Sequence, residues 1–229
     1  MQKESQPGHP LLYSVQGFMY CDLLLADAER AVWRHLLTPS PSRGEGGGEG
    51  VSACRTVSQR AARTLKWAEE YFGRGLGLLD IALDHVTLGR AALYEAILMQ
   101  SEVRSAKSEV GQAVDWLRRS SQQDELPRGL LSRAWLRALS SDPAGAQADL
   151  DEAWEIAERG PMRLFMADIH LYRARLFGRM KGEGRSMNYP WESPAADLAA
   201  ARKLIEQSGY WRRKEELEDA EAALGLEGK

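Results

Sequence analysis

Three acidic or imidazole side chains fall within one short stretch: Asp80, Asp84 and His85. Asp80 and Asp84 are four residues apart and share a helical face. A metal centre needs three or four donors in a compact geometry, and this spacing does not supply them. No metal ligand set is expected, and packing explains His85 more simply. His170 is read the same way; His9 and His35 have no donor cluster around them. The glycines of residues 38–50 invite comparison with a phosphate-cradling loop. That loop requires a strand before it and a lysine and hydroxyl residue directly after it. Gly50 is instead followed by Val51, Ser52 and Ala53. Cys54 sits beside Arg55 at the edge of an insert that reads as mobile, and no serine has a recognisable triad context. Asp149, Asp151, Glu152, Glu155 and Glu158 read as a solvated acidic face rather than as paired catalytic carboxylates. The reading is a protein without catalytic residues, cofactor or metal.

The elements that hold these residues are helical. The chain has 229 residues, is 44% hydrophobic and 28% charged, and carries a formal net charge of -3. Such a balance argues against a broad nucleic-acid surface or a polybasic membrane patch. Trp211, Arg212, Arg213 and Lys214 form a basic run, but Glu215, Glu216, Glu218 and Asp219 follow at once. No apolar stretch is long enough to span a bilayer. Two cysteines, Cys21 and Cys54, are expected as reduced thiols. The expected compartment is the cytoplasm, with neither nucleic acid nor membrane as partner.

Residues 1–10 read as a flexible N-terminus. A helix is expected over 11–37, bending near Asp27. Prolines and glycines then mark an insert over about 38–53. Further helices are expected over 54–72, 78–99, 108–121, 128–139, 144–159, 162–179 and 194–207. A second insert covers about 181–193, and a capping helix about 211–224. Asp142 before Pro143 is a natural N-cap. Residues 11–229 thus read as a single helical domain without strands.

Two helices are cut to one pattern. Ala148, Asp149, Leu150 and Ala153 recur as Ala196, Asp197, Leu198 and Ala201. Ala146, Leu150 and Ala153 hold the i, i+4, i+7 spacing of a buried stripe. In the partnering helices Leu88 precedes Gly89, and small residues recur at Gly17, Ala134 and Ala174. With these residues the chain resembles the tetratricopeptide repeat family, in the style of the helical-repeat tail of large bacterial signalling proteins. The resemblance covers most of residues 11–207 and implies an all-α solenoid of antiparallel helix pairs in a right-handed superhelix. Several units exceed the family's usual length, which inserted loops would explain. It places His85 and His170 at equivalent positions, four residues before a small residue. Gly89 and Ala146 would let neighbouring helices approach closely.

The resemblance further implies that first helices line a concave groove. That assigns Phe18, Asp22, Arg90, Tyr94, Trp135, Leu171 and Arg175 to protein contact, with Tyr189 and Trp191 as loop contacts. Aromatics and arginines suit recognition of a peptide or protein. The expected function is therefore an interaction scaffold with an unknown protein or peptide partner. A regulatory small-molecule sensor is the alternative. A homodimer through the apolar N-terminal helices is another.

Overall fold

The computed structural model describes residues 11–37, 47–72, 77–178 and 189–226. The expected flexible terminus 1–10, the first part of the first insert, Gly73 and Gly75, and most of the second insert lie outside these residues. Among the described residues there are ten α-helices and no strand: α1 Ser14–Leu24, α2 Ala26–Leu37, α3 Gly47–Phe72, α4 Leu78–Leu98, α5 Arg104–Arg119, α6 Leu126–Leu139, α7 Pro143–Arg159, α8 Arg163–Phe177, α9 Pro194–Ser208 and α10 Lys214–Ala223. Short 3-10 turns at Gln123–Glu125 and Trp211–Arg213 lead into α6 and α10. The strongest packing is between helices adjacent in the chain. The described part is an all-α, multi-helix fold of the general helical-repeat kind.

The N-terminal helix breaks at Leu25, two residues before the expected bend. The Leu25 amide still reaches Cys21 O, and the Glu29 amide reaches Leu25 O, so the axis is almost unbroken. A second departure concerns the glycine-rich insert. Its last residues are helical, because α3 begins at Gly47 rather than near Cys54. Glycine disfavours helix by itself, but Gly50 is buried, and a β-carbon there would stand 2.9 Å from Leu98 Cδ1. Close packing against α4 outweighs local propensity at this point.

The chain divides into two compact units, Met1–Val32 with Ser42–Ser132, and Trp33–Pro41 with Arg133–Lys229. In the first, α4 packs on α3, α5 and α1. Gly89 makes one of these contacts possible: a β-carbon there would lie 2.6 Å from Val110 Cγ2 and 3.1 Å from Val110 N. Only hydrogen fits, which agrees with the close approach expected at this position.

In the second unit α8 packs on α7 and α9, and α10 packs on α8 and α9. Ala167, Leu171, Ala174, Leu198, Ala201, Ile205, Leu217 and Ala220 form its core, with Leu204, Tyr210 and Leu224 against the edge. The four alanines of this core, Ala167, Ala174, Ala201 and Ala220, allow short interhelical distances. Caps close the helices as their sequences suggest. Asp142 accepts from the Gly145 amide at 2.9 Å, and Ser193 accepts from the Ala196 amide at 3.0 Å, each directly before a proline. Gly209 ends α9 with a left-handed φ of 69°, which a side chain would strain.

Candidate functional site

Every residue assigned to the concave groove is buried. In the first unit three of them bond to one another. Arg90 Nη1 donates to Asp22 Oδ1 at 2.6 Å, Nε donates to Tyr94 Oη at 3.0 Å, and Nη2 donates to Glu29 Oε2 at 2.9 Å. Phe18 lies beneath Arg128, whose guanidinium carbon is 4.8 Å from the ring centre. Arg128 also pairs with Glu125. Three residues that the resemblance assigned to a groove, Asp22, Arg90 and Tyr94, thus belong to an internal hydrogen-bonded network.

The second unit repeats the outcome with other partners. Trp135 stacks on Trp33, ring centres 3.7 Å apart and planes inclined by 14°. Tyr172 meets both indoles edge-on. The Arg175 guanidinium lies 4.8 Å from the Trp33 ring and donates to Glu216 Oε2 at 2.9 Å and to its carbonyl oxygen at 2.8 Å. Arg213 completes the cluster, donating to Glu216 Oε1 at 2.6 Å and to Asp168 Oδ1 at 2.8 Å. Burial alone would raise the Glu216 pKa, but Arg213 and Arg175 pull it well below the ordinary carboxylate range. Leu171 belongs to the hydrophobic core.

The two histidines tie helix pairs together. His85 Nδ1 lies 2.7 Å from Glu109 Oε2, and His170 Nδ1 lies 2.5 Å from Asp197 Oδ1. Each imidazole sits on the first helix of a pair and its carboxylate on the second. Asp149 corrects the solvated-face reading. It is buried, and Arg133 and Arg137 reach it at 2.7 Å and 2.9 Å. Glu155 and Glu158, further along α7, are exposed as expected. Asp149 and Asp197, equivalent in the repeated pattern, therefore do equivalent work: each anchors a cationic or imidazole side chain of the preceding helix.

Among the described residues, no group of three His, Cys, Asp or Glu side chains comes together to hold a metal ion. Asp84 and His85 turn to different partners: Asp84 Oδ1 accepts from Thr64 Oγ1 at 2.7 Å. Burial raises the Asp84 pKa to about 7; Asp80 adds to the rise, while Thr64 and Arg60 oppose it. Cys21 and Cys54 are free and buried. Burial pushes the Cys54 thiol up to about 12, with Glu95 adding to the shift, so its reactive thiolate is disfavoured. No described helix is long and apolar enough to cross a membrane.

The loop contacts Tyr189 and Trp191 are half-buried against the second unit. Tyr189 Oη donates to Asp197 Oδ2, and Trp191 Nε1 donates to Asp151 Oδ1 at 2.8 Å. Burial, together with the Asp197 carboxylate, raises the Tyr189 pKa. Between this loop and α7 lies a residue that the sequence reading passed over. Arg173 is set between an aspartate pair and two indoles, with its guanidinium carbon 4.5 Å from the Trp191 ring and 4.9 Å from the Trp154 ring. Its periodicity gave no warning, because Arg173 occupies the place of Leu88 when His170 is aligned with His85.

One surface feature stands apart from these internal clusters. On α1, Gly17, Phe18, Cys21 and Asp22 are buried, whereas Met19, Tyr20, Leu23 and Leu24 are 51%, 42%, 64% and 37% exposed. The exposed four fall at i and i+4 in two rows, so they make one continuous apolar strip. Arg60 stacks over Tyr20 at 4.8 Å along its border. Comparison with protein-family models, curated proteins and solved structures returns no match.

Proposed function

We propose that this chain is a non-catalytic interaction scaffold whose working surface is the outer face of α1. The exposed strip Met19, Tyr20, Leu23 and Leu24 carries the reading. A helix apolar all round is the pattern of one covered on both sides. The first unit covers one side of α1 and leaves four large apolar groups on the other. An apolar strip of this kind fits the hydrophobic face of a partner helix, with Tyr20 as a rigid anchor. This moves the binding surface away from Phe18, Asp22, Arg90, Tyr94, Trp135, Leu171 and Arg175. Those seven side chains can meet a partner only by leaving the contacts that hold their own units.

We also read the helix pairs as tetratricopeptide-like units in a right-handed array. The support is the repeated pattern around Asp149 and Asp197, together with the small residue at Gly89 and Ala174. The alternative use of the same strip is self-association through the N-terminal helices, since an apolar helix face can pair with its own copy.

A photo-crosslinking residue at Leu23, with Glu158 as an exposed control position, tests the proposal in cells. Adducts from position 23 that vanish with Met19→Asp support the α1 surface. An adduct of twice the chain mass assigns the strip to a second copy. Equal adducts from both positions, or none from position 23, reject it. Circular dichroism of Met19→Asp confirms that loss of the adduct is not loss of fold.

A further inference from the structure

Arg173 differs from the other buried arginines of the second unit. Arg175 and Arg213 both donate to carboxylates within 3 Å. Arg173 is only 6% exposed, yet it makes no hydrogen bond with any described residue; its Nε, like that of Arg175, is fully enclosed without an acceptor. The carboxylate it pairs with, Asp151, is 3.6 Å away at Oδ1, and that oxygen already accepts from Trp191 Nε1. Asp197, the other acid whose charge reaches Arg173, is bonded to His170 and Tyr189. Both acids are therefore served by other donors, while the enclosed Nε of Arg173 has no acceptor. Buried polar groups in folded proteins are normally satisfied, so such an exception calls for a cause.

We propose that Arg173 anchors a binding site for a small organic acid, its carboxylate held by the guanidinium and its apolar body lying against Trp154 and Trp191. A carboxylate presents two oxygens that match the paired donors of arginine. The flanking charges select for single charge: Asp151 and Asp197 would repel a dianion such as phosphate more strongly. The walls select for an apolar body. Phe177 meets Trp191 edge-on at 5.1 Å, and Tyr189 meets it at 5.4 Å, extending the aromatic surface beyond the guanidinium. Trp191 is half-buried and precedes α9 outside any helix, which makes it the wall best able to shift for entry. Burial lowers the Arg173 pKa and the neighbouring acids oppose that shift; arginine nevertheless stays protonated, so the anchor keeps its charge.

Titration of the full chain with sodium benzoate tests the site, read by tryptophan fluorescence and by thermal melting. Benzamide serves as the uncharged isostere, and inorganic phosphate and matched sodium chloride as ionic controls. The expected result is a saturable fluorescence change and a rising Tm with benzoate, at least tenfold weaker with benzamide or phosphate. Arg173→Gln should lose the benzoate response at least tenfold while keeping the wild-type circular dichroism spectrum. Equal responses to benzoate and benzamide overturn the proposal without any variant. So does the absence of a saturable benzoate response, or a folded Arg173→Gln that responds like wild type. Should Arg173→Gln fail to fold, Arg173→Lys takes its place: the expected result is a benzoate response weakened several-fold by the loss of the paired donors, and an undiminished response overturns the proposal.

Discussion

Arg90 and Arg175 occupy the same place in the sequence, five residues after His85 and His170, yet the two units resolve them differently. In the first unit one arginine serves two carboxylates, Asp22 and Glu29, supplied by α1 and α2. In the second unit one carboxylate, Glu216 on α10, serves two arginines, Arg175 and Arg213. The histidine behaves alike in both, bonded to a carboxylate on the next helix of its pair. A repeated slot thus fixes which cation enters the interior. The elements that close each unit decide how its charge is met. A buried charge must be paired wherever it falls, so the charge partners come from whichever helix covers that slot.

The largest test of this contrast removes the shared partner. Glu216→Ala leaves Arg175 and Arg213 without their common carboxylate and should cost about 3–5 kcal/mol in urea unfolding. Glu29→Gln leaves Arg90 with Asp22 and should cost distinctly less. Equal losses would break the distinction between one cation with two acids and one acid with two cations. Close packing gives the next effect. Gly89→Ala sets a methyl group against Val110 and should cost about 1–3 kcal/mol; a neutral result would show that α4 and α5 separate freely.

A pH comparison isolates Asp84 in the first unit. Its folded pKa of about 7 lies above the ordinary carboxylate value. The folded state therefore binds the proton more readily, and stability falls as pH rises from about 4 through 7. Asp84→Asn should remove that fall and raise stability at pH 8 by on the order of 2 kcal/mol. Glu216 works in the opposite sense. Its lowered folded pKa gives stability that is lost as pH drops below the ordinary glutamate value. Urea midpoints of the two variants between pH 3 and 8 should diverge at opposite ends of the range. The smallest effects belong to the caps of α7 and α9. Asp142→Ala and Ser193→Ala should each cost about 1 kcal/mol, and similar values would show that the two proline-led helices start by one device.

The sequence made the helices legible because their stripes are local. The i, i+4, i+7 spacing of Ala146, Leu150 and Ala153 is a property of one helix, and all three are buried. The Asp142 cap was equally readable from two consecutive residues, Asp142 and Pro143. Charge placement was not. Asp149 looks like its exposed neighbours Glu155 and Glu158, since its partners Arg133 and Arg137 come from another helix. Arg90 and Arg175 looked available for a ligand because their acids lie 61 and 41 positions away. A faint signal existed in the recurrence of histidine, a small residue and arginine at one spacing, which marks an interior slot. The helical start at Gly47 had no local signal, because the contact that favours it is with Leu98. Arg173 was missed for a similar reason: its environment is built by Trp154 from an earlier helix and Trp191 from a loop.

The stacking of Trp33 on Trp135 bears on the order in which the chain folds. Residues Trp33–Pro41 belong to a unit otherwise made from Arg133–Lys229. Arg34 reaches Asp219 through two hydrogen bonds across 185 positions. Repeat arrays usually fold quickly because their contacts are short in sequence. Here the second unit has to recruit a segment made well before the rest of it, and the entropy of closing that long loop must be met before the contact forms. On the ribosome, the Trp33 ring cannot meet Trp135, nor Arg34 meet Asp219, until those residues have emerged. This unit should therefore fold late, with Trp33 reporting its completion, although every helix in it has locally determined ends.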